Sequence, residues 1–285
     1  MSTTETLREP EADERPVDRT WREAARRDFE ACTEASLHLV VGAIFVLALG
    51  GIGVTTVVLS DAFFTSGDLP GTIELLTSNA AWLFTSLVAV VGLFVGYPRS
   101  IGDRAERDGA DSTVPARTEY VGRLASRTIL VAGAVVAGLV VLGAVGLVAY
   151  ESFSPLAYVG FAAATVALAA AYASVGVSVS AVANTPNRAL AWLFGLFFFL
   201  AFCWDTWIVP LGIALLTAGG DPAVLGNRPG WFEALVATSP GGAYGALGDV
   251  LAGASSSAAT LVALVGLVAW IVVPAVIAVA VVDRR

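Results

Sequence analysis

Apolar residues along the chain fall into six long blocks, at about residues 36–59, 79–98, 128–149, 156–181, 189–216 and 258–282, with polar segments between them. Each block has the ~20 residues needed to cross a hydrocarbon core of roughly 30 Å at 1.5 Å rise per residue. Inside such a core every backbone polar group must find its partner within its own segment, so each block is predicted to be a helix. The short alternating patterns of strands are not found. The fold class expected is all-α: a polytopic integral membrane protein with about six transmembrane helices.

The polar segments sort by their own patterns. Residues 1–17 are rich in Glu, Asp, Arg, Pro and Thr with almost nothing to bury, and read as a disordered acidic cytoplasmic tail. Residues 18–34 differ: Trp21, Ala25, Phe29 and Cys32 share one helical face, with Arg22, Glu23 and Arg26 on others. This predicts an amphipathic helix lying in the membrane interface, with Trp21, Ala25 and Phe29 turned toward lipid. Residues 35–285 then form the six-helix domain. Between its last two spans, the stretch from Trp231 to Tyr244 is too short and interrupted to cross, and reads as one or two re-entrant or interfacial helices. Pro210 is placed to kink the fifth span. Small residues are dense in the third span (Gly133, Ala137, Gly138) and in the fourth (Ala163, Ala167, Ala170, Ala171), which predicts close helix packing.

Composition supports the membrane reading. Apolar residues make up 56% of the chain and charged residues 14%, against about 25% charged in soluble domains. All 16 basic residues are arginine, and the net charge is −8, which excludes a nucleic-acid binder because no basic patch exists. An acidic, lysine-free chain rich in Ala, Val and Gly suggests a halophilic source. Cys32 and Cys203 are far apart and form no C-x-x-C pair or disulfide framework. The polar start followed by a long apolar block does not resemble a cleavable signal peptide.

Charge also sets an expected orientation. With both termini in the cytoplasm, 15 of the 16 arginines fall on the inner side and only Arg228 outside. The outer loops then carry Asp61, Asp68, Glu74, Asp221, Glu233 and Asp249. The localisation expected is the cell membrane, multi-pass.

Catalytic machinery is not found in the sequence. A phosphate-binding G-x-x-x-x-G-K-[ST] loop needs a lysine, and the chain has none. His38 is the sole histidine, at the end of the first span, so neither a metal centre nor a histidine-activated nucleophile is expected. No cofactor is expected. Asp205, within Ala201-Phe-Cys-Trp-Asp-Thr-Trp-Ile-Val-Pro210, is the one acid inside a span, roughly 24 Å along from Ala189 at the helical rise. It is a possible intramembrane polar site near the outer interface, or a polar anchor.

The order of these parts resembles the permease subunit of type-2 ABC transporters, especially a six-helix group of halophilic archaea. An interfacial helix precedes the first span. The second span ends in Gly92-Leu-Phe-Val-Gly-Tyr-Pro-Arg-Ser-Ile-Gly-Asp-Arg-Ala-Glu-Arg-Asp-Gly109, and Val114-Pro-Ala-Arg-Thr-Glu-Tyr-Val-Gly-Arg-Leu124 follows it. Phe-Leu-Ala-Phe-Cys-Trp-Asp205 in the fifth span and Ser239-Pro-Gly-Gly-Ala-Tyr244 are also similar to that group. The resemblance runs over about residues 18–285. It implies a half-transporter that pairs with a second permease copy, as homodimer or heterodimer, sits in membrane lipid, and docks a separate ABC ATPase subunit which hydrolyses the ATP. It carries the docking role onto Arg104, Glu106, Arg107, Pro115, Arg117 and Glu119 in the loop between spans two and three. One departure is clear: only Ala110-Asp-Ser-Thr-Val114 separates Gly109 from Pro115, where the family has a Leu-rich helix of about eight residues.

Three readings follow. The first is a permease subunit forming the substrate path. The second is a membrane scaffold or assembly protein of the same ancestry, which the shortened loop favours. The third is an ion-coupled carrier using Asp205, which the scarcity of buried acids disfavours.

Overall fold

The computed structural model describes residues 20–63, 85–96, 115–149, 154–183, 185–217, 230–251 and 257–284. The described elements are all helical, in the order α1 (Trp21–Glu34), α2 (Leu37–Phe63), α3 (Thr85–Val95), α4 (Ala116–Ala149), α5 (Pro155–Val182) and α6 (Pro186–Phe198). A π-helical segment (Phe199–Ile208) continues α6 into α7 (Val209–Thr217), and α8 (Gly230–Ala237), α9 (Pro240–Leu251) and α10 (Ser257–Val282) follow. Among the described residues four helices are long and apolar enough to cross a membrane: Leu37–Thr55, Ala116–Val148, Pro155–Val182 and Thr260–Val282. With apolar α3 and the α6–π–α7 rod, this is an all-α polytopic membrane protein.

Local chemistry sets several helix ends. Ser154 caps α5, its hydroxyl accepting from the Ala157 amide, and Pro155 takes the first helical position. Thr185 does the same for α6 ahead of Pro186, accepting from the Arg188 amide at 3.3 Å. Between α1 and α2 the chain turns at Ala35 and Ser36. Ser36 takes a left-handed conformation (φ 55°), which is where a helix that stops sharply places its first residue beyond the cap.

α5 is the centre of the bundle. It packs against α4, α9 and α10, and every residue from Ala171 to Ser178 is buried. α3 lies backbone to backbone against it: a Cβ at Gly96 would collide with the carbonyl carbon of Gly176, and one at Gly176 would stand 2.5 Å from the Leu93 carbonyl oxygen. One turn earlier, Gly92 faces the Tyr172 backbone and Cβ. The Gly92-x-x-x-Gly96 spacing thus brings backbone onto backbone, where dispersion takes the place of the hydrophobic drive that lipid does not supply. The expected small residues contribute unequally. Gly138 admits the Phe45 carbonyl of α2 and Ala171 is buried, whereas Gly133 has open space beside it and Ala163 is exposed.

Hydroxyl groups tie the same core together. Ser174 donates to the Ile271 carbonyl at 2.7 Å, Tyr120 and Ser178 share a bond of 2.9 Å, and Thr165 and Tyr244 share one of 3.0 Å. Tyr244 brings α9 onto α5. Trp270 donates its indole N–H to the Thr238 carbonyl at 2.7 Å, and Gly266 lets α10 approach the Ala237 carbonyl. The stretch from Trp231 to Tyr244 is therefore two short helices folded back onto the bundle.

One boundary differs from the sequence pattern. The third span was expected at 128–149 after a polar stretch, but α4 is helical from Ala116. Pro115 stands immediately before its first turn and Glu119 within it, both favourable at a helix N-terminus. Tyr120, with Val121 and Leu124 beside it, packs against Val177, Ala181, Ala278 and Val282 in a small second core. That burial carries the helix three turns beyond the apolar block.

Candidate functional site

The end of the bundle where α1, α4 and the end of α3 meet gathers most of the charged residues of the described chain. α1 is amphipathic for the reason its spacing gives: Ala24 and Cys32 are buried, while Trp21 and Phe29 remain 45% and 38% exposed. Its seat on α4 depends on Gly122. A Cβ there would lie 2.6 Å from the Ala24 Cβ, 2.7 Å from the Ala25 amide nitrogen and 2.8 Å from the Trp21 carbonyl oxygen. The two backbones therefore cross in contact.

One turn further along each helix, that crossing presents Asp28 to Arg127. The guanidinium grips the carboxylate with two bonds, Nε to Oδ2 at 2.8 Å and Nη2 to Oδ1 at 3.0 Å. Side-chain exposure is 13% for Arg127 and 16% for Asp28, so water screens the pair far less than it does a surface ion pair. Ser126 donates its hydroxyl to the same carboxylate, and Arg123 stands 3.8 Å from it. Arg123 in turn pairs with Glu119 at 2.9 Å, one turn back on α4. Arg127 also donates Nη1 to the Val95 carbonyl at 3.2 Å, placing a cation on the C-terminal end of α3, where the helix dipole favours it. Arg127 thus joins three helices.

Cys32 lies under this cluster, its sulfur 4.0 Å from Asp28. Burial pushes the thiol up from its ordinary pKa, Asp28 adds to that, and the arginines oppose it. Two concavities flank the junction. A narrow cleft between α4 and the end of α5 is lined by Ala116, Glu119, Tyr120, Arg123, Val177, Ser180 and Ala181. An open groove of about 260 Å³ between α1 and α4 is lined by Ala25, Arg26, Phe29, Ser126 and Ile129.

The candidate residues named from sequence divide as follows. Arg104, Glu106 and Arg107 lie outside the described residues. Pro115 and Arg117 are exposed at the start of α4, and Glu119 is half-buried and paired with Arg123. Trp21 and Phe29 are exposed on α1, while Ala25 is half-buried against α4. Asp205 falls in the π-helical segment, with its side chain outside the described residues. Among the described residues no three His, Cys, Asp or Glu stand together to hold a metal. The junction of Asp28, Ser126 and Arg127 was not among the candidates. Its one local signal was Arg123 and Arg127 four apart on what proves to be a helix.

A bundle of apolar helices, with an amphipathic helix ion-paired across its charged end, is a multi-pass membrane protein. The chain matches the family model described as ABC-2 family transporter protein over residues 117–285, more than half of its 285 residues, and it belongs to that family. The match starts at Arg117, so Asp28 and Val95 lie before it and Arg123 and Arg127 within it. No curated protein matches the chain.

Proposed function

We propose that this chain is the membrane half of an ABC transporter whose charged bundle end faces the cytoplasm and docks a separate ATPase. Family membership supports the class: its members are generally non-catalytic permeases that work with an ATPase subunit. The observation that carries the docking reading is the Arg127 junction. It fixes α1, the start of α4 and the end of α3 to one another, so the segment 97–114 leaves from and returns to a rigid base. Pro115 and Arg117 are exposed at its return, with Arg104, Glu106 and Arg107 on the segment itself. Asp28 carries its charge satisfied, leaving the outward-facing residues to meet a partner. In this reading both termini are cytoplasmic, residues 1–17 form a tail, and a second permease copy completes the substrate path.

A scaffold of the same ancestry is the second reading. The five residues between Gly109 and Pro115 contain no leucine, and an apolar docking helix missing from this place removes about 25 cal/mol of stabilisation per Å² left unburied. Cross-linking mass spectrometry on the tagged protein, purified in mild detergent at high salt, decides between them. Cross-links from an ATPase to residues 97–117 support the permease. Cross-links from this segment only to itself or to non-ATPase proteins sink the docking reading and leave the scaffold.

A further inference from the structure

We propose that the groove between α1 and α4 is a binding site for one anionic phospholipid. Its floor and walls are apolar: Ala25 and Phe29 from α1, Ile129 from α4, and the stem of Arg26. Ser126 also lines it, but its hydroxyl is already committed to Asp28. Ile129 is 61% exposed and stands where α4 begins its apolar run. The open side of the groove therefore faces the acyl region of a bilayer, which has no water to fill it. A lipid tail fits this chemistry, and a soluble peptide or a free phosphate does not.

Charge complementarity sets the head group. Arg26 lies on the rim with its side chain 80% exposed, and its present partner is Glu30 at 2.7 Å, an exposed i, i+4 pair. Such pairs contribute little and exchange readily for another anion. Of the other α1 carboxylates, Asp28 is held by Arg127 and Arg123, and Glu23 lies one turn before Arg26 at the start of the helix. Arg22 and Arg27 on the same helix add positive charge nearby. This site depends on the chain lying in a membrane and needs neither an ATPase nor transport, so its failure leaves the proposed function untouched.

Native mass spectrometry of the detergent-purified chain, titrated with phosphatidylglycerol or with phosphatidylcholine, tests it. One phosphatidylglycerol is expected to be retained with about five-fold preference over phosphatidylcholine, the factor that one basic side chain supplies near an anionic surface. Arg26→Gln is expected to abolish that preference, and Glu30→Gln, which removes the competing acceptor, to strengthen it. Ile129→Trp, filling the groove from an exposed position, is expected to abolish retention of either lipid. Equal retention of the two lipids by the unaltered chain overturns the proposal. So does retention unchanged by both Arg26→Gln and Ile129→Trp.

Discussion

α5 and the α6–π–α7 rod that follows it are built from opposite materials. α5 is made mostly of Ala, Gly, Ser and Val, and its middle is buried without interruption from Ala171 to Ser178. In α6 only Ala189 and Leu193 are buried, while Trp192, Phe194 and Phe198 are 54%, 55% and 60% exposed. Small side chains let α5 accept other backbones at van der Waals distance. Bulky aromatic ones hold α6 at the edge of the bundle, and it runs on into ten residues of π-helix. Side-chain size, rather than apolarity, therefore decides which span forms the centre and which faces lipid.

Single-residue deletions break this comparison hardest. Removing Ala169 turns half of α5 by about 100°, which withdraws Ser174, Gly176 and Ser178 from all their partners at once. No folded protein is expected on size-exclusion chromatography in detergent. Removing Ala201 from the π-helical segment lets i+5 bonding revert to i+4 there. A monodisperse protein with nearly unchanged melting temperature is expected. Equal damage from the two deletions means the α6–π–α7 rod is as tightly packed as α5.

Glycine substitutions sharpen it. Gly176→Ala places a methyl against the Leu93 and Gly92 carbonyls, and overpacking of this kind costs up to about 3 kcal/mol. Gly195 in α6 has nothing within 4 Å of its would-be Cβ, so Gly195→Ala gains helix propensity of at most about 1 kcal/mol. Thermal melting should move in opposite directions for the two. A shared direction removes the distinction between the spans.

At the charged end, Arg127→Ala leaves the Asp28 carboxylate half-buried with its main partner gone. Breaking a fully buried pair costs about 3–5 kcal/mol, and the residual exposure of both groups reduces this to about 2. Asp28→Ala added to it should recover part of the loss, a coupling that a double-mutant cycle measures. Cys32 gives a second readout. Its raised pKa and burial keep the thiolate scarce, so maleimide labelling near neutral pH is slow in the intact protein. Arg127→Ala removes a cation that favours the thiolate, so labelling that nevertheless accelerates in this variant reports Cys32 becoming exposed as α1 loosens. At this end the smallest effect is expected for Tyr120→Phe, which removes one buried hydroxyl bond to Ser178 and about 1 kcal/mol. A change in melting temperature as large as that of Arg127→Ala would mean the hydroxyl, rather than the ring, holds the second core.

Much of the architecture was legible in the sequence because a bilayer enforces simple arithmetic. Apolar length gave helices, and the spacing of Trp21, Ala25 and Phe29 gave an amphipathic one. The start of α4 was written in Pro115 and Glu119, yet the polar content of the stretch argued for a loop until Tyr120 and Leu124 were seen to have a surface to pack on. Gly92 and Gly96 carried a recognisable spacing, but nothing local named Gly176 as their partner. Asp28 and Arg127 are separated by 99 positions, and α1 alone offers four acids that would serve equally on paper. The π-helix left no mark, since a shift from i+4 to i+5 bonding changes hydrogen bonds without changing composition.

The meeting of Gly96 with Gly176 has a mechanical consequence. Two backbones already in contact admit no further approach, and neither helix can slide past the other's ridge without lifting away. Gly92 rests on the same helix one turn away, so the contact has two points along α3. Gly96 is the last described residue before the segment 97–114, and Gly176 lies six residues short of the end of α5, about 9 Å at the helical rise. A displacement at the root of that segment meets backbone already in contact, so it is passed directly to α5 with no slack to absorb it.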